Sequence, residues 1–183
     1  MIFTGLLTPG SHRAAELADD RAVARAILRV EDAWVAAQSR SGLVPADAAR
    51  AAHSAVQRVA LDEAALNELA VASEGGGNPV IPLLAAYRKA VTEEYGAPLG
   101  AVHASLTSQD VMDTALALLL RDVRSTLLEN LARTGDALAR LVAEHRDTVM
   151  VGRTLTQHAL PISFGLKAAS WLAAVDVAAD AVR

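Results

Sequence analysis

Cysteine is absent from the chain, which excludes disulfides, thiolate chemistry and any cysteine-ligated metal site. Aromatic residues make up only 3% of it while 52% is apolar, so a core must be assembled from Ala, Leu and Val. Such a composition suits close-packed helices and leaves little of the aromatic material that sheets favour. There is no excess of positive charge: 17 basic against 21 acidic residues give a formal net charge of -4, with no footprint for nucleic acid or an anionic membrane. Met1-Ile2-Phe3-Thr4-Gly5 lacks the basic start and apolar run of a secretory signal. The apolar run Leu116 to Leu120 is too short to span a bilayer and is flanked by charges. The expectation is a cytoplasmic, all-α protein, with neither nucleic acid nor membrane as a partner.

What is present follows helical spacing. Asp19 or Asp20 is placed to cap a helix that carries Ala24, Ile27, Leu28, Val30 and Trp34 on its apolar side and reaches about Arg40. Gly42 stops it, Pro45 starts the next, and Asp62 heads a third. The run Gly75-Gly76-Gly77 breaks the pattern, Pro79 and Pro82 open a helix to about Tyr95, and Gly96, Pro98 and Gly100 end it. From Asp110 to about Arg146 there is no proline and a single glycine, with Leu116, Leu120, Val123, Leu127, Leu131, Leu138 and Leu141 on one stripe. At 1.5 Å per residue such a helix is roughly 55 Å long, which implies a long bundle shared between subunits. A further helical run is expected from near Pro161 through Trp171 to Arg183. No Gly, Asn or Pro follows Val182, so the chain reads as the N-terminal piece of something longer. The organisation expected is a helical domain over 1–106 and the beginning of a central long-helix bundle over 107–183.

Three polar clusters interrupt this apolar pattern at helix ends, and their position suggests convergence on a ligand. In Thr107-Ser108-Gln109-Asp110, Thr107 can cap the long helix while Asp110 reaches back to the Thr107 amide. A cap alone would explain the motif, but exposed amides and hydroxyls at a helix N-terminus also suit a carboxylate or phosphate. His103 lies four residues upstream; a structural histidine is the plainer reading, a proton-transfer group the sharper one. In Gly152-Arg153-Thr154-Leu155-Thr156-Gln157-His158, Arg153 can grip a carboxylate through two parallel hydrogen bonds. Thr154, Thr156 and Gln157 add neutral partners, and His158 could transfer a proton near neutral pH. Gly75-Gly76-Gly77-Asn78-Pro79 lacks the Gly-Lys-Ser/Thr of a phosphate-binding loop and reads as a turn with Asn78 as a cap. His12, His53 and His145 have no polar company in sequence and are expected on the surface, and no His or carboxylate spacing marks a metal site.

Taken together these clusters resemble the fumarase/aspartase superfamily of lyases, which carries Thr-Ser-x-Asp at the start of a central helix and Gly-Arg-Thr-x-x-Gln one helix later. Within it the chain is most similar to the 3-carboxy-cis,cis-muconate cycloisomerases. That likeness is carried by Gly77-Asn78-Pro79-Val80-Ile81-Pro82-Leu83, by Thr107-Ser108-Gln109-Asp110-Val111-Met112-Asp113-Thr114-Ala115-Leu116 and by Gly152-Arg153-Thr154. It continues through Gln157-His158-Ala159-Leu160-Pro161 and Phe164-Gly165-Leu166-Lys167-Ala168-Ala169-Ser170-Trp171, and Asp20 to Pro45 resembles the family's first helix.

The resemblance implies an all-helical homotetramer with active sites assembled from three subunits, no metal and no organic cofactor. The implied reaction is addition of a substrate carboxylate to a double bond, giving 4-carboxymuconolactone in the protocatechuate branch of the β-ketoadipate pathway. Thr107, Ser108, Arg153, Thr154 and Gln157 would bind the small polycarboxylate, with Asn78 beside them, and His103 and His158 would be the catalytic proton-transfer groups. The superfamily's Ser-Ser-x-Met-Pro-x-Lys-x-Asn-Pro loop would lie beyond Arg183, so the expectation is that this piece alone is inactive. Two positions depart from the pattern. Leu155 stands where most superfamily lyases have histidine, which favours the muconate branch over adenylosuccinate lyase, and Ser105-Leu106 replace a frequent Gly-Ala. An adenylosuccinate-type lyase and a non-catalytic helical assembly module are the alternatives.

Overall fold

A computed structural model describes residues 9–10 and 15–183; His12 lies outside them. The described elements are helices α1 (Ala15–Ala18), α2 (Asp20–Arg40), α3 (Ala46–Val56), α4 (Glu63–Ser73), α5 (Val80–Tyr95), α6 (Ser108–Glu144) and α7 (Phe164–Val182), with strands β1 (Val149–Thr154) and β2 (Gln157–Ser163) before α7. The architecture is all-α apart from that one hairpin. Two compact units divide within α6, one running through Arg121 and the other comprising Asp122–Arg183.

Local signals in the sequence set the helix ends of the first unit. Asp19 accepts from the Ala22 amide at 2.8 Å and Asp62 from the Ala65 amide at 3.1 Å, each filling an N-cap. Pro45 stands just before α3, where its missing N–H costs nothing. Gly96 ends α5 at φ +81, a left-handed C-cap that glycine adopts without steric cost. Between these ends the apolar faces meet in one core: Ile27, Leu28 and Val35 of α2, Ala48 and Ala52 of α3, Leu83, Tyr87 and Val91 of α5, and Val111 and Ala115 at the start of α6. Small residues let α3 lie close to its neighbours, so the Tyr87 hydroxyl donates to the Ala52 carbonyl at 3.1 Å. Burial, then the negative charges of Asp32 and Glu31, push that phenol well above its ordinary pKa.

In the second unit α6 and α7 pack through few buried side chains, Ala168 and Ala179 among them. Arg124 binds the chain end, its Nε donating to the Val182 carbonyl at 2.8 Å. Phe164 stacks edge-on against His145 at 5.0 Å and against Trp171 at 6.3 Å, and the Lys167 ammonium sits 5.4 Å from the Trp171 ring. The long leucine stripe is not consumed within the chain: Leu116, Leu120 and Leu127 are exposed on α6, as are Leu166 and Val177 on α7.

Three sequence expectations change. Residues 149–163 form a two-stranded hairpin rather than a turn and a helix start, because Val149, Val151 and Thr154 are β-branched and a two-residue turn at Leu155-Thr156 closes the register. Consequently α7 begins at Phe164 rather than near Pro161, with the Ser163 hydroxyl oxygen accepting from the Leu166 amide at 3.1 Å. Pro161 is tolerated in β2 because a lone hairpin has only edge strands. Finally, His53 and His145 do have polar partners, Asp32 at 2.8 Å and the Thr148 hydroxyl at 3.2 Å; His53 is exposed as expected, whereas His145 is half-buried.

Ile27 is fully shielded at the centre of the first unit's core. Its replacement by Ala should lower unfolding stability by about 2–5 kcal/mol, read from urea denaturation. A loss below about 0.5 kcal/mol, within the range of surface substitutions, would contradict this packing.

Candidate active site

The first unit contains the segment Ala101–Thr107, which has no regular structure. Its carbonyls are met partly by its own turns, the Ala104 amide donating to the Ala101 carbonyl at 3.2 Å, and partly by side chains from elsewhere. One face of α2 does this at intervals of three and four residues. Glu31 reaches the His103 ring, the Trp34 indole donates to the Ala104 carbonyl at 2.8 Å, and the Gln38 amide donates to the Ala101 carbonyl at 2.9 Å. From α5, Arg88 donates to the Val102 carbonyl at 3.2 Å. Pinned in this way, the chain takes left-handed φ values at His103 (+63) and Ser105 (+59). The third non-glycine residue with positive φ among the described residues is Thr156 (+64), in the other polar cluster. For a β-branched residue this is a strained conformation, and such strain concentrates at functional sites. The sequence places Trp34 only on an apolar face and gives no role to Glu31, Gln38 or Arg88; a carboxylate on the apolar face of α2, between Ile27 and Val35, is the available signal.

At the start of α6 the capping box forms in full. The Thr107 hydroxyl oxygen accepts from the Asp110 amide at 3.1 Å, and the Asp110 carboxylate accepts from the Thr107 amide at 3.0 Å and from its hydroxyl at 2.7 Å. These bonds hold the Asp110 carboxyl below the usual carboxylate range. The Thr107 hydroxyl is therefore spent on the helix, whereas the half-buried Ser108 hydroxyl makes no hydrogen bond to a described residue. Asn78 is also occupied locally: its side-chain oxygen accepts from the Val80 amide at 3.0 Å and its amide donates to the Gly76 carbonyl at 3.2 Å.

The second unit presents the other four predicted residues on the β1–β2 hairpin. Its register sets Arg153 opposite His158 and Thr154 opposite Gln157. Partners directly across a ladder project to the same face, so a guanidinium and an imidazole share one side and a hydroxyl and an amide the other. All four side chains are exposed and form no hydrogen bond to described residues. A register irregularity between Val151 and Arg153 sets this arrangement, and Gly152 makes it possible. A Cβ at that position would stand 2.4 Å from the Leu160 carbonyl oxygen, closer than any side chain can come. Among the described residues no group of three or more His, Asp or Glu side chains could hold a metal ion, and no helix is long and apolar enough to cross a membrane.

A helix N-terminus with an uncommitted hydroxyl and a pinned histidine in the first unit, and a hairpin pairing arginine with histidine in the second, each offer groups suited to anionic ligands and proton transfer. Residues 11–183 match the family model described as lyase, and the chain belongs to that family, within the fumarase/aspartase superfamily. Among its relatives, the nitrosuccinate lyase of Streptomyces davaonensis is 42% identical over 175 residues, 94% of this chain and 36% of that protein. The 3-carboxy-cis,cis-muconate cycloisomerase of Bradyrhizobium diazoefficiens is 39% identical over 170 residues, 93% of this chain and 37% of that protein. Adenylosuccinate lyases are relatives too. The crystal structure of the 3-carboxy-cis,cis-muconate lactonizing enzyme from Pseudomonas putida superimposes with a TM-score of 0.83 at 34% identity, covering 93% of this chain and 38% of that one. The chain thus spans a little over a third of the length of these proteins.

Two outcomes follow from this geometry. Gly152→Ala should break the hairpin and open residues 149–163 to limited proteolysis; unchanged protection would show that the strand can move aside. Asp110→Asn should lower the thermal midpoint at neutral pH. Because the folded-state pKa of Asp110 is depressed, its stabilisation is complete above the unfolded carboxylate range and is lost as pH falls through the folded value. The two proteins should therefore converge in melts at low pH, and a difference that persists there would assign the effect to something other than the carboxylate.

Proposed function

We propose that the full-length protein is a cofactor-free 3-carboxy-cis,cis-muconate cycloisomerase, and that the described residues supply parts of its active site. The observation that carries this reading is the register that sets Arg153 beside His158. In lactone formation a substrate carboxylate oxygen bonds to one carbon of a double bond. The displaced π pair moves toward the neighbouring carbon, whose own carboxylate takes up enolate-like charge, and a proton then closes the new C–H bond. A guanidinium stabilises that charge as it develops, and an imidazole, that of His103 or of His158, supplies the proton. Ser108, Thr154 and Gln157 would bind the remaining carboxylates, while Thr107 and Asn78, whose side chains are engaged at the starts of α6 and α5, would shape that binding rather than donate to it. Leu155, at the hairpin tip, cannot move protons, which fits the cycloisomerase branch of the resemblance. The exposed leucines of α6 support assembly of the parent protein into a homotetramer with sites shared between subunits.

A second reading rests on the identity to nitrosuccinate lyase. Elimination from nitrosuccinate would use the same elements in the opposite sense: a base takes a C–H proton beside a carboxylate, the C–N bond breaks and a double bond forms. The test is turnover by the full-length protein, following loss of diene absorbance with the muconate and release of nitrite with nitrosuccinate, with adenylosuccinate alongside. Consumption of the muconate alone supports the first reading, nitrite release alone replaces it with the second, and no turnover of either withdraws both. With the active substrate, Arg153→Ala should reduce kcat/KM by roughly 100- to 1,000-fold, as for removal of one preorganised donor to a developing oxyanion. Near-native kinetics would remove Arg153 from the site.

A further inference from the structure

Among the described residues Glu31 is the one charged side chain with no solvent exposure at all. It lies on the face of α2 that packs into the core, where a carboxylate is costly to keep. One of its oxygens, Oε1, is 2.6 Å from Nδ1 of His103, whose side chain is itself only 15% exposed. The other, Oε2, is buried and has no hydrogen-bond partner among the described residues. Holding the loop does not require this group. Trp34, Gln38 and Arg88 already fix the backbone at Ala104, Ala101 and Val102 through neutral acceptors. Among the described residues Glu31 alone hydrogen-bonds the imidazole, and the left-handed backbone at His103 turns that ring toward α2.

We infer that Glu31 is a positioning residue that fixes the tautomer and orientation of His103, so that Nε2 is the atom that exchanges protons with substrate. A carboxylate has only acceptors, so Nδ1 must carry the hydrogen in this pair, which leaves Nε2 as the variable site. In the lactone-forming direction imidazolium Nε2–H gives its proton to the substrate carbon as the π pair becomes the C–H bond. The ring is left neutral with its Nδ1 proton still on Glu31, and water later returns a proton to Nε2. In the eliminating direction the same Nε2 lone pair removes the C–H proton. The arrangement stabilises the charged ring through a buried counter-charge, as a carboxylate behind a catalytic histidine does in unrelated hydrolases. This inference rests on the reading of His103 as a proton-transfer group.

Glu31→Gln tests it with little change of shape. A glutamine can turn its amide toward Nδ1 and donate, which favours the opposite tautomer. In full-length protein labelled with 15N-histidine, the His103 signal (assigned by its loss in His103→Gln) should report hydrogen on Nδ1 in the parent and a shift toward Nε2–H in the variant. With the active substrate, kcat should fall at least 50-fold in Glu31→Gln while KM stays within about threefold, the pattern of a group that acts in the transition state. In a His103→Gln background the Glu31→Gln change should add less than a twofold further loss, as expected for one coupled unit.

An unchanged tautomer in the variant overturns the inference, as does a loss of kcat that recurs in full without His103, which would mark a purely structural role. Near-native turnover by His103→Gln overturns it as well, and takes the assignment of His103 with it. The NMR result needs no substrate. A wrong substrate assignment therefore shows as absent turnover with the parent tautomer intact, whereas a wrong inference shows in the tautomer itself.

Discussion

A stretch of chain with no regular structure, folded against a helical core, must have its polar backbone groups paired, by its own turns or by side chains from that core. Here one face of α2 carries much of the burden: Trp34 and Gln38 donate to the Ala104 and Ala101 carbonyls, and Glu31 meets the His103 ring. Everything downstream depends on that attachment. It sets the left-handed turn at His103, delivers the chain to Thr107, and so fixes where α6 begins and which way its exposed amides face. The helix that supplies the core is also the template for the site.

The polar clusters around Thr107 and on the hairpin are built by different physics. Around Thr107 order comes from saturation, since hydroxyl, amide and carboxylate close on one another and leave Ser108 as the uncommitted group. On the hairpin it comes from register: the ladder dictates which side chains are neighbours, and their polar ends are left open to solvent. The second arrangement is cheap to keep only where something else is later bound, because an arginine held beside a histidine gains nothing from the proximity by itself.

Much of this was legible in the sequence, and the rest was illegible for identifiable reasons. Asp19, Asp62, Gly96 and the Thr107/Asp110 box announce themselves, because capping is a local interaction with a fixed spacing. The residues Arg153, Thr154, Gln157 and His158 could be picked out as a polar group. That they belong to strands could not, since a glycine and a proline within fifteen residues argue against a ladder unless both strands are edges. Glu31 was hidden for the opposite reason. Its partner lies 72 residues away, and a single glutamate in a helical run looks like a solvated position until the fold shows what lies over it.

The hairpin also separates what the fold must hold constant from what it can change. Gly152 has no alternative, because the strand opposite occupies the space any side chain would need. Leu155, three positions on, is 86% exposed at the tip and carries none of the packing. A lineage could therefore exchange the side chain at the tip, and with it the chemical group the hairpin presents, at almost no cost in foldedness. New reactions would be tried on this scaffold one residue at a time, with the arginine's seat left undisturbed.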